Sequence, residues 1–227
     1  MYSVISNTPE QSSRSPTVEM SKPIVFIVDD DVSVRESLEL LVRSGGWEPS
    51  LFESAEQFLD YSRPRTPCCL ILDVNMPGLN GLELQRTIVT DGVKIPIIFI
   101  TGFGDVPMTV RAMKAGAVEF LTKPLDIGAL LEAVGAALAH SETVSREEEE
   151  LALLQQTYGL LSPRERAVMR LVITGLLNKQ IAFELGISEI TVKAHRGQVM
   201  RKMNARSLPH LVNMAARLNL SENELIH

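Results

Sequence analysis

The sequence predicts an α/β doubly wound parallel sheet followed by a small all-α helix-turn-helix domain. Three observations predict it. Four short apolar runs, residues 24–28, 68–72, 97–100 and 118–121, end respectively in Asp29-Asp30-Asp31, Asp73, Thr101 and Thr122-Lys123-Pro124. Helical periodicity fills the intervals between them. Charge then divides the chain, with residues 160–227 carrying a net +5 and residues 1–159 a net −11.

Runs rich in Val, Ile and Phe read as strands buried on both faces. Val34, Leu38, Leu41 and Val42 recur at helical spacing, and Gly45-Gly46 stops that helix. Residues 48–52 supply another strand. Ser54-Ala55-Glu56-Gln57 predicts a capping box opening a short helix with Phe58 and Leu59. Residues 82–89 make a third helix, residues 106–115 a fourth stopped by Gly116, and Asp126 caps a fifth containing Leu130, Leu131, Val134 and Leu138. Five β/α units in roughly 120 residues suit one domain. The expected strand order is the flavodoxin-like 2-1-3-4-5, with its switch point between strands 1 and 3, which Asp30 and Asp73 end.

In a parallel sheet all strand C-termini share one edge, where ligands of open α/β sheets bind. Carboxylates, a hydroxyl and an ammonium should therefore converge there. A carboxylate attacking a phosphoryl group meets like-charge repulsion, which a divalent cation relieves. Mg²⁺ takes oxygen ligands and keeps waters, so one or two carboxylates and a carbonyl suffice. Asp73 is the expected acceptor and Asp30 the facing carboxylate, with Lys123 a compact charge for the phosphoryl oxygens. Asp31 reads as a helix cap.

The second domain is all helix by pattern. Ser162-Pro163-Arg164-Glu165 combines an N-cap, Pro at N1 and the Glu of a capping box. Ala167, Val168, Leu171 and Val172 form an apolar stripe, and Gly175 ends the helix. Residues 178–185 make a short helix, Gly186 turns the chain, and Ser188 caps a helix reaching Met203. Val192, Val199 and Met203 share the inner face of that last helix, whereas Lys193, Arg196, Gln198 and Arg201 lie on others. A basic face on the second helix of such a unit suits the major groove of DNA. A fourth helix over residues 207–218 carries Leu208, Leu211, Val212, Ala215 and Leu218, a stripe wider than so small a domain needs internally.

The motifs V-D-D-D at 28–31, L-D-V-N-M-P-G at 72–78, Gly81, I-T-G at 100–102, A-M-K-A-G-A at 112–117 and F-L-T-K-P at 120–124 together resemble a two-component receiver domain. L-L-S-P-R-E-R at 160–166, G-L-L-N-K-Q-I-A at 175–182, L-G-I-S at 185–188, T-V-K-A-H-R at 191–196 and V-M-R-K-M at 199–203 resemble a LuxR-type domain. Jointly the chain resembles a NarL/FixJ-type response regulator of the FixJ, StyR and TodT branch. The resemblance implies a phosphoacceptor at Asp73, Mg²⁺ (or Mn²⁺) held by Asp29, Asp30, Asp73 and the Asn75 carbonyl, with Asp29 acting mainly through water, and catalytic support from Lys123 and Thr101. It makes Thr101 and Phe120 a switch pair. Phe120, where Tyr is usual, must work by packing and reads equally well as core. The positions two beyond the acceptor and two beyond the switch Thr, Asn75 and Phe103, influence hydrolysis in the family.

For the second domain the resemblance implies DNA contacts from Asn178, Lys179, Thr191, Lys193 and Arg196. Gly197 stands where some relatives carry a base-reading residue. His195 reads as structural, since a lone His lacks metal-ligand spacing. The implied partners are a sensor histidine kinase, double-stranded DNA, RNA polymerase and a second copy of the chain on phosphorylation. Two other function classes fit less well. An enzyme of the haloacid dehalogenase type needs a second Asp where this chain has Asn75, and the Ser-capped recognition helix favours duplex DNA over RNA.

The expected organisation is a disordered arm at 1–22, a receiver at 23–140, a helical linker at 141–159 and a DNA-binding domain at 160–227. The linker helix either starts at a Ser145 cap or is fused with the receiver's last helix, and its acidic run, Glu147–Glu150, reads either as a solvated face or as a brake on Lys193 and Arg196. Residues 1–22 lack a signal-peptide core, and no apolar run approaches bilayer length. Adjacent Cys68 and Cys69 exclude a disulfide framework, which points to the reducing cytoplasm.

Overall fold

The computed structural model describes residues 22–64, 66–102 and 104–220. The arm expected at 1–22, apart from Lys22, lies outside these residues, and so does Phe103. The chain divides after Ser141 into two compact units.

In the first unit, β1 (Ile24–Val28), β2 (Glu48–Phe52), β3 (Cys68–Asp73), β4 (Ile97–Thr101) and β5 (Glu119–Thr122) form a parallel sheet of order β2-β1-β3-β4-β5. The strands alternate between two cores, as side chains of period two must. Phe26, Val28, Leu70, Leu72, Ile97 and Phe99 face one cluster, and Val25, Ile27, Cys69, Ile71, Ile98 and Ile100 the other. The first cluster includes Phe58 of α2 (Ala55–Asp60), Leu84 and Ile88 of α3 (Gly81–Thr90) and Ala112 of α4 (Val106–Lys114). The second takes Leu38 and Val42 of α1 (Val32–Ser44) with Leu130, Val134 and Leu138 of α5 (Ile127–Gly159). Pro49 sits in the edge strand β2, where a missing N–H costs no central ladder bond.

The loops at the C-terminal edge have local causes. Asp31 caps α1 by accepting the Ser33 N–H at 2.8 Å, so it is a cap as expected. Ser54 caps α2, but Gln57 reaches back to the Glu53 N–H rather than to the cap's own, so the expected box is only half made. Asn80 and Glu83 instead form a full box at α3, which pattern reading missed. Gly81 allows α3 to start against β3, because a Cβ there would stand 2.3 Å from the Asp73 carbonyl oxygen.

α5 is one helix of 33 residues, and Ser145 lies inside it rather than capping a new one. Residues 136–158 contain neither Gly nor Pro and are rich in Ala, Glu and Leu, so nothing breaks the helix.

The second unit packs α6 (Pro163–Ile173), α7 (Asn178–Leu185), α8 (Glu189–Lys202) and α9 (Leu208–Arg217) around Val168, Met169, Val172, Ile181, Val192, Val199, Met203, Leu211 and Ala215. Leu154 is buried in the same core and Tyr158 packs on it. Arg166 stacks over the Tyr158 ring at 5.4 Å and donates to the Gly159 and Leu161 carbonyls. The last turns of α5 therefore belong to the packing of this unit, upstream of the boundary expected at residue 160. Gly186 turns between α7 and α8 at φ +62°, as the helix-turn-helix pattern requires.

The Ser162–Glu165 capping box is present, and Lys202 donates to Glu165 Oε2 at 2.7 Å. The Lys202 hydrogen bond, with help from the Ser162 N–H, lowers the Glu165 pKa to about 2. A depressed carboxylate contributes stability above its ordinary pKa and loses it as pH falls toward the folded value. Glu165→Gln should thus cost about 1–2 kcal/mol at neutral pH. The gap should close as pH falls from 4.5 toward about 2. Urea unfolding followed by circular dichroism across that range checks it, and a gap independent of pH contradicts it.

Candidate phosphoacceptor site and nucleic-acid interface

The register aligns Val28, Leu72, Phe99 and Phe120 across β1, β3, β4 and β5. Asp29, Asp73, Thr101 and Lys123 follow within three residues of that row, on the edge where the strands end. Lys123 Nζ donates to Asp29 Oδ2 at 2.8 Å and lies 3.1 Å from Asp73 Oδ1. Asp29 is 1 % exposed and Asp73 4 %, so this one ammonium joins two desolvated carboxylates. Asp29 Oδ1 accepts the Asp31 N–H, and Arg35 donates to the Asp29 carbonyl. Asp73 Oδ2 accepts the Asn75 N–H at 2.8 Å.

Electrostatics follow from burial. Desolvation raises the Asp73 pKa, with the Asp29 charge adding and Lys123 and the Asn75 N–H opposing. Burial works against the Lys123 charge, yet Asp29 and Asp73 outweigh it and hold its pKa above the ordinary lysine value.

Of the acidic trio, the structure brings Asp29 to Asp73. The Asp30 side chain is exposed and has no hydrogen-bond or ion-pair partner among the described residues. It lies in the loop just past β1, which ends at Val28. Among the described residues, no three Asp, Glu, His or Cys side chains are grouped as a ready metal cage. The donors present still fit Mg²⁺. They are hard oxygens, and Asp73 beside Asp29 holds excess negative charge in a desolvated place. A cation that keeps its waters needs no more than two such carboxylates and a carbonyl.

Thr101 is fully buried, and its Oγ1 accepts the Asn75 side-chain amide at 3.0 Å. Phe120 is half-buried and packs beside Phe99, with ring centroids 6.1 Å apart. Gly104 lies against both residues of the expected switch pair, since a Cβ there would stand 3.0 Å from Phe120 Cε1 and 3.3 Å from Thr101 Cγ2. Sequence reasoning passed over Gly104 and marked Asn75 for hydrolysis, not for this bond to Thr101. The glycine was visible as the second Gly of T-G-F-G, but a contact between side chains of two neighbouring strand ends has no local signal.

In the second unit, Ser188 caps α8 by accepting the Thr191 N–H, and the two hydroxyls lie 2.8 Å apart. Arg196 donates to Asn178 Oδ1 at 2.7 Å, joining α8 to the start of α7. Lys179 and Lys193 are exposed, and His195 is half-buried. Gly197 is exposed with open space where a Cβ would stand, so no neighbour within the chain demands glycine. Ile190, Lys193, Ala194 and Gly197 form one exposed face of α8, at i, i+3, i+4 and i+7. On α9, Leu211 and Ala215 are buried while Leu208 and Val212 stay over a third exposed, so the stripe is only partly used inside. Glu150, the last of the acidic run, pairs with Arg217 of α9 at 3.0 Å.

Comparison with known proteins agrees with this geometry. Residues 25–135 match the response regulator receiver domain family, and residues 159–215 match the bacterial regulatory proteins of the luxR family. The chain is 51% identical to Nodulation protein W of Bradyrhizobium diazoefficiens over 91% of each protein. The chain is a response regulator of the NarL/FixJ type. It is 47% identical to the response regulator TodT of Pseudomonas putida over 86% of each chain. The solved structure of the response regulator StyR matches with a TM-score of 0.79 at 50% identity, covering 86% of this chain and 99% of that one. The regulator thus couples a receiver to a LuxR-type DNA-binding domain, as a phosphorylation-controlled regulator of transcription does. Among its described residues no helix is long and apolar enough to cross a membrane.

Proposed function

We propose that a sensor histidine kinase donates a phosphoryl group to Asp73, and that this pairs two receivers and sets two DNA-binding domains on adjacent half-sites. The observation that carries the proposal is the Lys123 bridge between Asp29 and Asp73 at the sheet edge. An Asp73 oxygen attacks phosphorus, the bond to the donor's nitrogen breaks, and Lys123 neutralises the transferred oxygens. Asp29, Asp30, Asp73 and the Asn75 carbonyl are the oxygens available to Mg²⁺ (or Mn²⁺), which when bound offsets charge repulsion between acceptor and phosphoryl group. Thr101 then donates a hydrogen bond that only the phosphorylated site accepts. The receiver acts on its own phosphorylation and dephosphorylation and on no other substrate.

The pairing face is that of α4 and β5. Val106, Val110 and Met113 recur there at i, i+4 and i+7 and are 77 %, 44 % and 42 % exposed, an apolar stripe beside the half-buried Phe120. Pairing raises the effective concentration of the second DNA-binding domain. Asn178, Lys179, Thr191, Lys193 and Arg196 are the proposed DNA contacts, with Arg196 pre-positioned by Asn178. The acidic run serves less as a brake on α8 than as a partner of α9, where Glu150 meets Arg217. RNA polymerase is the further partner, and the cytoplasm is the compartment that DNA and reduced Cys68 and Cys69 suit.

Asp73→Asn should abolish labelling by acetyl phosphate with Mg²⁺, whereas Asp31→Asn, which alters only a helix cap, should leave most of it. Equal loss in both refutes the acceptor assignment. Arg196→Ala should weaken binding to the specific site by about 1–3 kcal/mol if the guanidinium reads a base, and about equally on all sequences if it touches phosphate. Titration of specific and scrambled duplexes separates the two, and unchanged affinity on both would remove Arg196 from the interface.

A further inference from the structure

We infer that the Asn75 side chain is a latch on Thr101 that holds the receiver in its unphosphorylated conformation. The inference rests on the proposed switching role of Thr101 and adds the residue that opposes it. Asn75 makes two bonds of different kinds. Its backbone N–H holds Asp73 Oδ2 at 2.8 Å, and its side-chain amide donates to Thr101 Oγ1 at 3.0 Å. Lys123 stands at the other acceptor oxygen, Asp73 Oδ1, at 3.1 Å. The two oxygens of Asp73 therefore look to different sides, Oδ2 toward the Asn75 backbone and Oδ1 toward Lys123.

A Thr101 hydroxyl drawn to a phosphoryl group neutralised by Lys123 leaves the Asn75 amide behind. Thr101 is fully buried while Asn75 is exposed, so the freed amide passes to water and the bond counts at its net worth in solvent. Its methyl group packs toward Gly104, which also lies against Phe120. Gly104 thus joins the surroundings of Thr101 to those of the Phe120 ring. Breaking the Asn75–Thr101 bond becomes part of the work of activation, and a single neutral hydrogen bond shifts such an equilibrium by about three- to tenfold.

The side chain can be removed without touching the backbone groups that hold Asp73. The full-length Asn75→Ala protein should bind beryllofluoride with Mg²⁺, a mimic of the phosphoryl group, about three- to tenfold more tightly than wild type by calorimetric titration. Without Mg²⁺ or fluoride, its amides at the end of β4 should exchange faster in deuterium. Both effects should vanish in a Thr101→Ala background, because the latch has then lost its partner. Unchanged or weaker beryllofluoride binding by Asn75→Ala, or an effect that persists without the Thr101 hydroxyl, overturns the latch. If Asp73→Asn protein binds beryllofluoride as well as wild type, the acceptor assignment fails and the latch with it.

Discussion

A single ammonium organises the functional edge of the receiver. Lys123, just past β5, reaches across β4 to the carboxylates that end β1 and β3. Two desolvated carboxylates side by side are costly, and a cation between them offsets that cost. The other groups take their places from these two acids. Asp29 is held by the Asp31 amide and by Arg35, Asp73 by the Asn75 amide, and Thr101 by the Asn75 side chain. A phosphoryl group on Asp73 adds negative charge at the point where this network balances. On the proposed reading its effect passes first to Lys123, Asn75 and Thr101, and from Thr101 toward Gly104 and Phe120.

The sheet was legible because its strands are buried on both faces, which leaves short Val/Ile/Phe runs with no polar alternation. β1 and β2 are bounded as expected, while β3 and β4 run one residue further, through Asp73 and Thr101, since the ladder continues until a loop turns the chain. Identity of the edge residues was legible too, and so was the approach of Lys123 to Asp73, but the Lys123 contact with Asp29 was not. The three consecutive acids 29–31 look alike in sequence, and the loop past β1 gives them different surroundings: Asp29 is buried against Lys123, Asp30 is exposed and Asp31 caps α1. Contacts such as Asn75 with Thr101 and Glu165 with Lys202 join residues 26 and 37 apart, beyond the reach of local patterns.

The second unit teaches the same lesson about boundaries. Its caps, its Gly turn and its basic helix follow from short-range chemistry and appear where the pattern places them. Its upstream limit does not, because Leu154 and Tyr158 are chosen by long-range packing on α6, α8 and α9. A charge run beside them read either as a solvated face or as a brake, and Glu150 of that run meets Arg217 of α9. Arg196 is likewise not a free basic residue but one anchored to Asn178, so a contact made through it begins partly ordered.

The proposed switch carries charge added at Asp73 to the α4–β5 face through Thr101. Sedimentation velocity of the full-length protein, with and without beryllofluoride and Mg²⁺, tests it directly. Wild type should move from monomer to dimer, and Thr101→Ala should stay monomeric even when saturated with beryllofluoride. A wild type that remains monomeric, or a Thr101→Ala protein that dimerises equally well, would contradict it.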